Sequence, residues 1–181
     1  MPKLFPVLII LTLASNVCLA SEADDQANAF TEIYLSTCMK HLSQLDTLRT
    51  ALKRVPALPP EKAAYFLSDK PGDAWSVPDK RGTFVLALPS DKNFCSVYGR
   101  KANTETAKKL FLALITNPPA PLTAKLVREE QKQSSLNGPT QTIAYEWSVP
   151  NAARKMMFIF SMAPSESAQV QVWGSASMVS E

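Results

Sequence analysis

The chain has 181 residues, of which 46% are apolar and 19% charged, with a formal net charge of +3. That composition excludes a collagen-like, wholly disordered or polytopic membrane protein, and the length suits one domain of roughly 100–200 residues. With three Cys and one His, any Cys/His metal site would need most of them, and no cofactor is expected.

Residues 1–20 read as a secretory signal peptide. Lys3 supplies the positive start and residues 4–14 form an apolar run. That run is shorter than the roughly 20 residues a membrane-spanning helix needs. Cys18-Leu19-Ala20 is a small-x-small site before the polar Ser21-Glu22, so cleavage is expected after Ala20, leaving residues 21–181 as a single domain. A lipid anchor on Cys18 would need an apolar residue three positions earlier and a small one directly before it. Ser15 and Val17 occupy those places, so membrane association through Cys18 is not expected.

Loss of the leader removes Lys3 and Cys18. Eighteen basic residues then face 16 acidic ones, and Cys38 and Cys95 remain. Two cysteines in an exported chain predict one disulfide, the alternative being two buried thiols. Closing a loop of this length stabilises by about 4 kcal/mol in the chain-entropy model.

Residues 24–54 predict a long helix, with a break near Ser43. Phe30, Tyr34, Cys38, Leu42, Leu45, Leu48 and Leu52 recur every three or four positions as one apolar stripe. Cys38 on that stripe points toward the protein body. The prolines of Val55-Pro56-Ala57-Leu58-Pro59-Pro60 end this helix, and a short one follows over 61–67. Lys70-Pro71-Gly72-Asp73 is a turn, and 74–82 is expected as a loop or short edge strand.

Two strands, 83–88 and 93–98, flank the turn Pro89-Ser90-Asp91-Lys92. Cys95 and Val97 share one face of the second and Phe94, Ser96 and Tyr98 the other, which suits a central strand. A second helix over 104–116 starts at the N-cap Asn103 and buries Ala107, Leu110, Phe111, Leu114 and Ile115. Four strands complete the chain. Strands 122–133 and 140–149 flank Asn137-Gly138, a strong hairpin signal. In strand 155–162, Met156, Phe158, Phe160 and Met162 align. In strand 168–178, Val170, Val172, Gly174, Ala176 and Met178 align, opposite Trp173. The fold class is therefore α+β: a mostly antiparallel sheet of about six strands, with a long N-terminal helix and a second helix packed on it.

No constellation for catalysis stands out. His41 is the sole histidine and has no acid three or four residues away. Glu129 and Glu130, adjacent on a strand, point to opposite faces. Asp69, Asp73 and Asp79 surround a turn, where acids usually cap or meet solvent. There is no phosphate-binding glycine loop, and nucleic acid is not an expected partner. The segment from Lys80 to Lys109 holds seven basic residues against Asp91 and Glu105, an excess that can steer an acidic surface. Trp173, standing among Gln and Ser, is a candidate contact residue, because Trp is enriched at binding hot spots. The candidate partner contacts are Trp173, Arg100, Lys101, Lys108 and Lys109.

Several stretches carry a resemblance: Ala63-Ala64-Tyr65-Phe66-Leu67, Lys70-Pro71-Gly72-Asp73-Ala74-Trp75, Cys95-Ser96-Val97-Tyr98 and the run from Gly138 to Trp147. Over residues 28–178 the chain resembles a family of small exported proteins and lipoproteins of Gram-negative bacteria. The resemblance implies a periplasmic setting and brings no catalytic residues with it. The expected function is a non-enzymatic periplasmic protein-binding factor, of envelope-accessory or inhibitor/immunity type. The alternative is a carrier of a small apolar ligand or lipid, with the Met156 to Met162 strand lining its cavity. An enzyme built around His41 is the third reading.

Overall fold

The computed structural model describes residues 21–180. The leader, its cleavage site and Cys18 lie outside the described residues. Among the described residues, no helix is long and apolar enough to cross a membrane.

Ser21 caps the first helix, α1 (Glu22–Tyr34), its hydroxyl accepting the Asp24 amide at 3.2 Å. Glu22, Asp24 and Asp25 in the first turn suit the positive end of the helix dipole. The helix continues into a π-helical turn, Leu35–Met39. Residues spaced by four drift around an α-helix by about 40° per step at 3.6 residues per turn. The wider turn cancels that drift, so Cys38 stays on the buried line of Phe30 and Tyr34. After a break at 40–44 the stripe resumes in α2 (Leu45–Leu52) and buries Leu45 and Leu48. The break near Ser43 is as expected. Then α3 (Pro60–Leu67) starts on a proline and stops at Ser68, whose φ of 51° is left-handed.

The strands are β1 (Gly72–Asp79), β2 (Gly82–Pro89), β3 (Phe94–Gly99), β4 (Thr123–Ser134), β5 (Gly138–Ser148), β6 (Arg154–Met162) and β7 (Val172–Ser180). The remaining helix, α4 (Thr104–Ile115), joins β3 to β4, and Asn103 caps it by accepting the amides of Glu105 and Thr106. All pairs are antiparallel, in the order β1-β2-β3-β7-β6-β5-β4. The class is α+β as expected, with seven strands rather than six. The extra strand is β1, where 74–82 was expected as a loop or short edge. Trp75 and Val77 lie on the buried side despite Pro78, which an edge strand tolerates.

One row of paired residues crosses the whole sheet on its inner face: Trp75, Leu86, Val97, Gly174, Phe160, Ile143 and Glu129. Onto this face pack α1, the π-turn and α4. Phe160 touches Phe30 and Phe111, with ring centres 6.1 and 5.1 Å apart, and Trp147 lies 4.6 Å from Phe158. Tyr34 donates its buried hydroxyl to the Ser175 carbonyl at 2.9 Å, and Trp147 donates to the Ile115 carbonyl at 2.7 Å. A disulfide joins Cys38 to Cys95, stapling the π-turn to β3 as expected. The outer face carries a smaller cluster in which Ala63 and Leu67 of α3 meet Ala74, Val85 and Ala87.

One strand assignment needs correction. Residues 168–171 are not part of the last strand but a loop beside it. Val170 therefore does not share the inner face with Val172. It is buried on the outer side, near Tyr98 and Val85.

Candidate functional site

A groove opens on the outer face between α3 and the 163–171 loop. Its floor comes from three neighbouring strands whose register sets Val85, Tyr98 and Trp173 side by side. One wall is α3. Leu58, just before this helix, donates its amide to the Ala74 carbonyl at 2.7 Å and ties the linker to β1. Ala63 and Leu67, four apart, seat the helix on the sheet. Tyr65 and Phe66 are then presented along its flank. Their rings meet nearly at right angles, 5.0 Å apart, and Phe66 meets Tyr98 at the same distance. The Tyr98 hydroxyl donates to the Phe66 carbonyl at 2.8 Å, locking floor to wall. Burial holds this phenol above its usual range, so it stays neutral and keeps donating.

The other wall is held by two buried amides. Gln171 donates to the carbonyls of Ser165 and Ala168 and accepts the Lys101 amide at 2.7 Å. Asn137 accepts the Val170 amide at 3.2 Å. The two bonds to Ser165 and Ala168 brace the loop against itself, those to Lys101 and Asn137 fasten it to neighbouring segments, and Val170 forms a ridge between two spaces. On one side of that ridge a space of about 520 Å³ lies between Leu58, Phe66, Val85 and Arg100. On the other, about 220 Å³ lies between Tyr65, Tyr98 and Trp173. Lys62 and Arg100 stand at the rim of the larger space. Neither makes an ion pair or a side-chain hydrogen bond among the described residues.

The proposed contact residues do not form one surface. Trp173 and Arg100 both border the groove. Arg100 also lines a polar cleft with its neighbour Lys101, beside Glu22, Asp79 and Arg81. Lys108 sits on α4 and reaches the Gln141 side chain at 3.1 Å on the inner side of the sheet; Lys109, exposed, follows it on α4. The basic stretch is likewise dispersed. Arg81 is committed to Asp79 and Glu32, at 2.8 and 2.7 Å, and its guanidinium holds the Asp79 carboxyl down at about 2.

The other chemical candidates stay apart. Asp73 and Asp79 stand near opposite ends of β1, about 20 Å apart at the usual strand rise. His41 lies in the turn after the π-helix, half-buried. Among the described residues no three His, Cys, Asp or Glu side chains gather as a metal site would require. Phe158 and Phe160, which the carrier alternative would set along a ligand cavity, are buried in the core, Phe160 against Phe30 of α1 and Phe111 of α4 and Phe158 against Trp147.

Tyr65, Phe66 and Val170 were not singled out as contact residues from the sequence. The only signal for them was an aromatic pair beside the core positions of a short helix, and core packing explains such a pair equally well. Comparison with protein-family models, curated proteins and solved structures finds no match, so the functional reading rests on the geometry of the molecule.

Proposed function

We propose that this chain is a non-enzymatic, exported protein-binding factor of the periplasm, of envelope-accessory or inhibitor type, and that the outer-face groove holds its partner. The observation that carries the reading is the grouping of Tyr65, Phe66, Tyr98 and Trp173 around one groove with unpaired Arg100 and Lys62 at its rim. Aromatic anchors in a preformed concave surface supply contact area at little entropic cost, and they recur at binding hot spots. The occupant that fits is an extended polypeptide segment with an apolar side chain over Val85 and an acidic residue near Arg100. The disulfide suits the oxidising compartment that such a role needs.

The test is affinity capture from periplasmic extract with residues 21–181 as bait, alongside Tyr65→Ala/Trp173→Ala and Arg100→Glu. Wild type is expected to retain one stoichiometric partner that both variants lose while keeping the wild-type melting temperature. A partner held equally by all three baits would rule the groove out.

A second reading, a carrier of a small apolar ligand, draws support from the larger space. Its volume of about 520 Å³ falls among small-molecule pockets, which run from about 300 to 1,000 Å³. Native mass spectrometry separates the two. A lipid that co-purifies, and is lost in Tyr65→Ala/Trp173→Ala, would favour the carrier.

A further inference from the structure

The two edges of the sheet are unlike. At β1 the edge carries Pro78 and has its Ala74 carbonyl taken by the Leu58 amide. Such devices keep an edge from pairing with another chain. At the opposite edge β4 runs for twelve residues with β5 as its one neighbour in the sheet. Half of the exposed large apolar side chains among the described residues lie on this strand and its hairpin: Leu126, Val127 and Leu136. A bulge between Leu126 and Arg128 guards the first part of the strand, but from Arg128 to Ser134 its register is regular.

We propose that two copies of this chain pair through their β4 edges, antiparallel about Gln131, joining two seven-stranded sheets into one of fourteen. The charges select the register. Arg128, Glu130 and Lys132 share the outer face, and Glu130 already contacts both cations, at 3.6 and 3.0 Å. Pairing about Gln131 sets Glu130 of each copy opposite Lys132 of the other, so two matched pairs flank the axis. Arg128 then faces Ser134, and Glu129 faces Gln133. Pairing about Glu130 would set Glu130 against itself and Arg128 against Lys132. Pairing about Lys132 would set that lysine against itself, and pairing about Glu129 would oppose two carboxylates and run into the bulge. A slip of one residue would turn inner-face side chains outward. Pairing about Gln133 would confine the contact to 132–134, whereas pairing about Gln131 uses the whole regular stretch from Arg128 to Ser134 with its charges matched.

This pairing is independent of what the groove binds. Its two-fold axis stands perpendicular to the sheet, so both grooves open on the same side.

Sedimentation velocity over a concentration series tests it, on wild type, Glu130→Lys, Lys132→Glu and an equimolar mixture of the two variants. Wild type is expected to show a monomer–dimer equilibrium, and each variant a dissociation constant raised at least about tenfold, since both matched pairs become repulsive. The mixture is expected to regain the dimer, because one copy then offers two cations where the other offers two carboxylates. Circular dichroism melts confirm that each variant is folded. A wild type that stays monomeric at all concentrations overturns the proposal. So does a dimer indifferent to both substitutions, or a mixture that fails to recover.

Discussion

At the scale of single residues, Gly174 marks a close approach, where β7 passes under α1. A β-carbon there would stand 3.2 Å from Phe30 Cζ and from two ring carbons of Tyr34. Both rings are 1% exposed and packed on every side, so they have little room to retreat. Gly174→Ala is therefore expected to destabilise by about 1–3 kcal/mol, as overpacked cores do. A lower urea midpoint at unchanged slope would report it, and an unchanged midpoint would mean that the rings yield freely. The alternation of β7 placed Gly174 among inner-face residues. It did not say that two rings from α1 would leave no space for a methyl group.

At the scale of elements, the π-turn and β3 are joined by one covalent bond. Cys38 and Cys95 are fully buried, with Cα atoms 5.3 Å apart and a sequence separation of 57. Replacing both by alanine is expected to lower unfolding free energy by about 4 kcal/mol in the loop-entropy account. The drop should match that of wild type under reductant, which has the same open chain. A double variant as stable as the oxidised protein would show that helix packing alone holds the π-turn in place. The stripe that put Cys38 on the body side was legible because helical periodicity is local. The π-turn that keeps Cys38 there was not, since widening one turn is a response to the sheet beneath. The same limit explains β7. Its apolar alternation runs back through Val170, yet the Gln171 and Asn137 side chains bind the Ala168 carbonyl and the Val170 amide and hold 168–170 as a loop, while the Gln171 amide still donates to the Gly99 carbonyl.

For the whole molecule, Tyr34 and Asp79 are two of the groups that make stability change with pH. Burial keeps the Tyr34 phenol neutral far above its usual range, while it donates to Ser175. The unfolded chain releases that proton near pH 10, the ordinary tyrosine value of about 10, and the folded chain does not. Above this pH the unfolded state is favoured, so stability should fall by up to about 1.4 kcal/mol per pH unit from this residue. Asp79 acts at the acid end. Arg81 lowers its carboxyl to about 2, so its contribution is present above the ordinary carboxylate value of about 4 and fades as pH drops through the lowered one. Urea midpoints across pH would show both limbs. Tyr34→Phe should flatten the alkaline limb and Asp79→Asn the acid one; a Tyr34→Phe profile parallel to wild type would remove Tyr34 from this account.

By itself the sequence determined the α+β class, the helical stretches with a break near Ser43, six of the strands, the N-cap at Asn103 and the inward line from Phe30 to Cys38. Each of these follows from periodicity, capping or proline geometry within a few residues, where the chain's own chemistry decides. The tertiary structure alone decided that β3 lies beside β7, a pairing across more than seventy residues. That pairing brings Tyr98 next to Trp173 and gives the groove its floor. Arg100 joins it, and Lys108 and Lys109 go to the far side of the sheet, because α4 crosses to the inner face directly after β3. Side chains distant in sequence become neighbours only through strand order, which no local pattern encodes.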